Sequence, residues 1–288
     1  MTTFIDYGSA PPHLRIRQAA HLSNYRRVYR SSERAVATAQ AAPEPSLEEY
    51  LESYERMGAR HVVVKARDLE TTFGARITNE AVAEFCREQG PRYLGFAGVD
   101  PNKGMTALRE LEHAVKNLGL IGLNLQCFEH KLAINDPRMY PLYAKCIELG
   151  IPVNIHCGTN FSDVTSMKYG KPEYLDDVML HFPELRVCAS PPGWPWINEL
   201  IAVAWRHANV RIGLVAVRPK YLNVQNSGYE MLLQYGNTLL QDQIIFGSAY
   251  PMQPVARALE EVCALPLKEE VRHKWLYQNA VSFLGLDE

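Results

Sequence analysis

Few side chains in this sequence combine reactivity with a setting that would expose it. His156 closes the run Gly150-Ile151-Pro152-Val153-Asn154-Ile155-His156 and so stands at the end of an apolar segment. There it is either an acid/base and substrate-orienting group or a hydrogen-bonded core residue. A nearby Ser190 would complete a nucleophilic dyad, although no carboxylate is placed to orient the imidazole and a serine also simply fills space. Cys157 is adjacent, but strand alternation turns it to the opposite face from His156. Lys65, Arg67 and Asp68 follow Val62-Val63-Val64, where charge is costly unless paired or open to water. They form either a carboxylate-binding cluster or a structural ion pair, and Asp68 carries general-base potential. Arg218 reads as an anion clamp or a surface charge, and His13 as a group that swings into a site or stays on a solvated loop. Asn124 ends a further apolar run and offers a polar contact to a substrate. Trp194 and Trp196, in a loop stiffened by Pro191, Pro192 and Pro195, either wall a pocket for a flat ligand or anchor a subunit contact. Tyr250 donates a proton or packs beneath Pro251.

Most of these positions share one feature: a short β-rich run precedes them. Strands are expected at residues 4–7, 61–65, 93–99, 119–125, 152–156, 185–189, 210–214 and 243–247. Several are continuous apolar runs, as parallel strands covered on both faces require. Helical periods lie between them, at 47–57, 79–88, 105–117, 137–149, 172–181, 196–205 and 229–235, and 268–284 closes the chain. Eight strand–helix units predict a (β/α)8 TIM barrel, whose active site lies at the C-terminal rim of the strands. The alternative, a doubly wound open sheet, would more often carry a glycine-rich first turn, and Gly8-Ser9-Ala10-Pro11-Pro12 is no dinucleotide fingerprint. Residues 1–288 are expected to form one domain. An extended insertion at about 13–46, bearing Arg15, Arg17, Arg26, Arg27, Arg30 and Arg34, is expected to lie over the barrel mouth or against a partner subunit.

Composition narrows the partners. With 30 basic against 32 acidic residues among 288 there is no basic excess, so nucleic acid is not expected. No uncharged apolar run approaches the ~18 residues of a membrane span, and the start of the chain lacks a signal-like core. The six cysteines show no paired spacing and read as reduced thiols in the cytoplasm. A small-molecule substrate, anionic in view of the rim cations, is the expected partner.

Six segments resemble a known family in their order and spacing: Phe96-Ala97-Gly98-Val99-Asp100-Pro101, Asp136-Pro137-Arg138-Met139-Tyr140-Pro141-Leu142-Tyr143, the run ending at His156, Phe182-Pro183-Glu184-Leu185, Gly193-Trp194-Pro195-Trp196, and Ile245-Phe246-Gly247-Ser248-Ala249-Tyr250-Pro251. The chain resembles the amidohydrolase-related branch containing aminocarboxymuconate-semialdehyde decarboxylase and the resorcylate decarboxylases. The resemblance implies a metal-bearing barrel, commonly a homodimer. It also locates departures. Where the family has Asp-x-His-x-His, this chain has Asp6-Tyr7-Gly8-Ser9-Ala10; the strand-six histidine aligns with Ser190 and the strand-eight aspartate with Ala249. Only the ligand matching His156 is retained, and one histidine cannot supply the three or four ligands that zinc takes. The expectation is therefore a metal-independent enzyme with no cofactor, acting on a small carboxylated or cyclic compound, of lyase, decarboxylase, hydratase or hydrolase type. Its rivals are a non-catalytic binding or scaffold barrel, and a metal-dependent hydrolase that recruits His13 or Asp68 as new ligands.

Overall fold

The computed structural model describes residues 2–16, 19–25 and 45–287. Ten strands occur among them: β1 Phe4–Ser9, β2 Ala59–Lys65, β3 Arg67–Leu69, β4 Ala75–Ile77, β5 Tyr93–Gly98, β6 Gly122–Leu125, β7 Val153–Ile155, β8 Val187–Ala189, β9 Val210–Leu214 and β10 Ile244–Phe246. Eight of them form one parallel sheet in the order β1-β2-β5-β6-β7-β8-β9-β10. The sheet curls until Ser9 bridges Tyr250 and Ala10 N–H donates to the Tyr250 carbonyl at 3.0 Å. This is the expected (β/α)8 TIM barrel, and all eight strands lie where the apolar runs placed them.

Alternation explains the two cores. Ile5, Tyr7, Val63, Phe96, Cys188 and Ile245 fill the barrel, and Ala280, Val281, Phe283 and Leu284 of the C-terminal helix plug its lower end. The opposite faces of the strands carry Phe4, Val62, Val64, Ala97, Leu123 and Ile212 to the outer helices. Gly122 is required inside, because a Cβ there would lie 2.5 Å from the Phe96 ring. Outside, Ser46 and Glu49 form a reciprocal capping box that starts the helix Leu47–Met57.

Several elements depart from expectation. The hairpin β3–β4 interrupts the first crossover after β2, and the helix Val255–Cys263 was not anticipated. Residues 268–284 do not form one helix: Glu269–His273 passes through a π-turn, Lys274–Gln278, into Asn279–Leu284. Arg17, Arg26, Arg27, Arg30 and Arg34 lie outside the described residues. Of the expected insertion, the short turn Ala20–Leu22 is described, and it buries His21 completely. Among the described residues no helix is long and apolar enough to cross a membrane.

Candidate active site

At the C-terminal side of the barrel interior a chain of hydrogen bonds crosses three strand ends. Lys65 Nζ donates to Asn154 Oδ1 at 3.0 Å, Asn154 Nδ2 to Asn124 Oδ1 at 2.9 Å, and Gln126 Nε2 to the same oxygen at 2.9 Å. Asn124 Nδ2 is fixed by the Ala66 carbonyl at 2.9 Å, which sets the orientation of every amide in the chain. Lys65 Nζ also lies 4.0 Å from the centre of the Tyr7 ring and 6.0 Å from that of Phe96. Burial in this setting pushes its ammonium down to about 7, against the opposing pull of Cys188 and Asp6. Among the described residues no carboxylate comes within ion-pair distance of it, yet Lys65 keeps partial exposure.

His156 stands just beyond β7 with its ring edge-on to Phe128 at 4.5 Å. Its Nδ1 is buried and, among the described residues, has no hydrogen-bond partner. Burial lowers its pKa to about 4, with Glu129 pulling upward and Arg67 downward, so the imidazole is neutral at physiological pH. Glu129 is fully buried and accepts from His21 Nε2 at 2.9 Å and Arg67 Nη1 at 3.1 Å. Burial alone would raise this carboxyl, but Arg67 and His21 hold it below its ordinary value. The Arg67 side chain remains 37% exposed. Two polar groups result, Lys65–Asn154–Asn124–Gln126 and Arg67–Glu129–His21, with His156 packed on Phe128; among the described residues no side-chain hydrogen bond joins the two groups, and Asn154, Gln126, Glu129 and His21 were not among the expected site residues. Asn154 was legible as the residue two before His156 on the same strand face; Glu129 had no such signal.

Other expected groups are engaged elsewhere. Asp68 lies in the β3–β4 hairpin, where it pairs with Lys103 and accepts from Glu70 N–H at 3.1 Å, so its oxygens serve a structural ion pair. Arg218 is buried against Glu261 of the helix Val255–Cys263 through Nε at 3.0 Å and through Nη2, which corrects its reading as an anion clamp or surface charge. Arg218→Ala is therefore expected to cost about 3 kcal/mol of stability in urea unfolding while leaving the substrate KM unchanged; a raised KM at unchanged stability would restore the clamp. His13 is exposed and packs 5.5 Å from Phe85 on an outer helix. Tyr250 packs on Tyr50 at 5.4 Å, beneath Arg15, along the seam where the barrel closes. Ser190 follows β8 and is buried, but among the described residues no hydrogen bond joins it to His156. Trp194 is 39% exposed, and Trp196 is half-buried at the start of the helix Ile197–Arg206.

The profile of the amidohydrolase family matches residues 19–286. The chain belongs to that family. It is 23% identical to the γ-resorcylate decarboxylase of Rhodococcus jostii over 74% of this chain and 77% of the relative. With the 2-amino-3-carboxymuconate-6-semialdehyde decarboxylase of Dictyostelium discoideum it shares 26% identity over 74% of this chain and 67% of the relative. Among solved structures, an uncharacterized TIM-barrel protein from Bordetella bronchiseptica superimposes with a TM-score of 0.80 at 28% identity, covering 98% of each chain.

The divalent metal expected of such an amidohydrolase needs converging anionic and imidazole donors, and the residues here do not fit it. Gly8, Ala10 and Ala249 carry no donor atoms. A Cβ on Gly8 would lie 3.3 Å from a Val215 methyl and 3.7 Å from Lys65 Nζ, so a side chain at position 8 would project toward an apolar group and a cation and not toward further metal donors. Asp6, the remaining carboxylate of β1, is turned into the β1–β10 seam. There it accepts from Ser248 N–H at 2.8 Å, Ser248 Oγ at 2.6 Å, Tyr54 OH at 2.6 Å and Gly8 N–H at 3.1 Å. Neither His13 nor Asp68 is placed to replace these ligands, and among the described residues no group of three or more His, Cys, Asp or Glu side chains converges on a metal position.

Proposed function

We propose that this amidohydrolase is a lyase that removes CO2 from a small carboxylated ring compound without a bound metal. The observation that carries the reading is Lys65: a cation at the end of β2, hydrogen-bonded to an amide oxygen and, among the described residues, without a carboxylate partner. Cleaving a C–CO2 bond leaves an electron pair on the substrate, and a fixed cation or acid at the far end of the conjugated system must accept it. Lys65 is that group. The partly exposed side chain of Arg67, held by Glu129 through Nη1, orients the departing carboxylate with its remaining N–H groups. Neutral His156, with Nδ1 unpartnered among the described residues, relays the proton that replaces CO2. In this reading Ser190 and Asn124 supply polar contacts to the substrate, and Trp194 and Trp196 supply ring surfaces for it. The curated relatives named as decarboxylases support this chemistry over hydrolysis. Six free cysteines fit a cytoplasmic setting, and a homodimer is the assembly we carry forward.

The test is CO2 release from a panel of hydroxybenzoates and cyclic 3-oxo acids, by enzyme stripped with a chelator and by enzyme loaded with Mn²⁺. Activity in the stripped enzyme, falling about a hundredfold in His156→Ala, is the expected result. Activity only after loading would overturn metal independence, and none in either form would overturn the decarboxylase reading.

A further inference from the structure

We infer that His21 is a positioning residue: by holding one oxygen of Glu129 it keeps Arg67 from closing into a two-point pair with that carboxylate, and so leaves guanidinium N–H groups free for the substrate. The inference rests on the reading of Arg67 as the group that orients the substrate's carboxylate, and deepens it by bringing a residue of the insertion between β1 and β2 into the site.

Three observations carry it. First, the pairing of Arg67 with Glu129 is one-sided. Nη1 donates to Oε1 at 3.1 Å, and among the described residues this is the only side-chain hydrogen bond of Arg67, while the buried Glu129 Oε2 has no partner among them. A guanidinium and a carboxylate left to themselves favour a fork-to-fork pair that uses both oxygens. Second, His21 holds the same oxygen that Arg67 uses. Its Nε2 lies 2.9 Å from Oε1, and because an ionised carboxylate only accepts, Nε2 carries the hydrogen and donates it. Two donors on one oxygen fix the terminal torsion of the glutamate, which is otherwise soft.

Third, His21 is itself held in place. It is fully buried, with its ring centre 4.2 Å from that of Phe73 and 6.3 Å from that of Phe128. Those rings belong to the short helices Glu70–Phe73 and Cys127–His130. Further along the same segment Asn24 Nδ2 donates to the Phe161 carbonyl at 2.8 Å, and the Tyr25 hydroxyl accepts from Phe161 N–H at 3.3 Å. Residues 19–25 are thereby tied to the crossover after β2 and to the loops after β6 and β7. Packing against Phe73 and Phe128 would be served equally by an apolar ring, and burial of an imidazole is offset only through the bond that Nε2 makes. Without that donor, Glu129 turns Oε2 onto Arg67, and the guanidinium engages its own carboxylate in place of the substrate's.

The experiment uses the intact chain, with benzoate as the carboxylate probe. Phenylglyoxal modification of Arg67 is read by peptide mass, and the exposed Arg87 serves as the internal control. The benzoate concentration that halves the modification rate is expected to rise about tenfold in His21→Phe, which keeps a ring but lacks the donor, and to return within about twofold of wild type in His21→Gln, whose Nε2 replaces it. In a Glu129→Gln background a two-point pair is impossible, so His21→Phe is expected to leave benzoate protection unchanged there. Undiminished protection in His21→Phe, or equal loss in His21→Gln, overturns the inference. So does a loss on adding His21→Phe to Glu129→Gln, a comparison that buries no unpaired charge and decides alone should His21→Phe by itself not fold. No protection of wild-type Arg67 overturns its assignment as the carboxylate anchor and this inference with it. CO2 release from the hydroxybenzoate panel is followed in parallel. The expected protection pattern without CO2 release supports the role of His21 and overturns the decarboxylase reading. CO2 release with His21→Phe protected like the wild type overturns this inference and leaves that reading standing.

Discussion

Lys65→Met is expected to lower turnover by about a hundred- to a thousandfold and, in the same protein, to remove a pH dependence of stability. Methionine matches the length and apolar character of the lysine stem and suits the ring-lined position between Tyr7 and Phe96, so the barrel is expected to fold. In the native protein the amine titrates at about 7, whereas in the unfolded chain it titrates near its ordinary value of 10.5. Between these values the unfolded chain binds a proton that the native state has released, so wild-type stability rises with pH across that window. Below about pH 7 both states hold the proton and the native state bears the full cost of a buried charge. The groups that face the amine do not reverse the sign. Burial holds the Cys188 thiol up at about 12 and therefore neutral, Arg67 opposes protonation, and the pull of Asp6 is already contained in the lowered value. Urea midpoints at pH 6 and pH 9 are expected to diverge in the wild type and draw together in the variant. Parallel pH dependences in the two proteins would show that Lys65 titrates normally and would remove the basis for its assigned role.

What the sequence disclosed follows from which interactions are local. The barrel was legible because strand alternation and apolar runs such as Val62-Val63-Val64 are short-range signals, and because the breaks between them are regular. The rim position of Lys65 and His156 followed from the strand ends. The fates of Arg218 and Asp68 did not, since Glu261 and Lys103 reach them from 43 and 35 residues away and a single charge does not announce its partner. The amide chain through Asn154, Asn124 and Gln126 was overlooked because an amide has no titration or motif of its own and acquires meaning only from its neighbours. His21 lay inside an arginine-rich stretch, where it reads as one more solvated residue until Glu129 is seen beside it. The π-turn at Lys274–Gln278 hid within an unbroken helical period; there Trp275 is buried and its indole N–H bonds the Gly236 carbonyl at 3.1 Å.

Asp6→Ala is expected to destabilise the protein by about 3–5 kcal/mol, far more than removal of an ordinary surface carboxylate. Asp6 is fully buried and gathers four donors across the line where β1 meets β10, supplementing the Ser9–Tyr250 bridge with its own oxygens. Alanine leaves the Gly8 and Ser248 N–H groups without an acceptor in a dry interior, each costing about 1–3 kcal/mol. The Tyr54 hydroxyl is partly rescued, because it also reaches Ser9 Oγ at 2.8 Å. Tyr54→Phe, which removes one donor and strands nothing but a lone pair, is accordingly expected to cost only about 1 kcal/mol. The ordering of the two variants is the discriminating result in urea unfolding. Equal, small losses would mean that backbone contacts alone close the barrel. A large loss confined to Asp6→Ala would establish that a residue matching the start of a metal-binding motif serves here to close the seam. Because Gly8 lies two residues from Asp6 and borders Lys65, opening that seam is also expected to disturb the amine and lower activity together with stability.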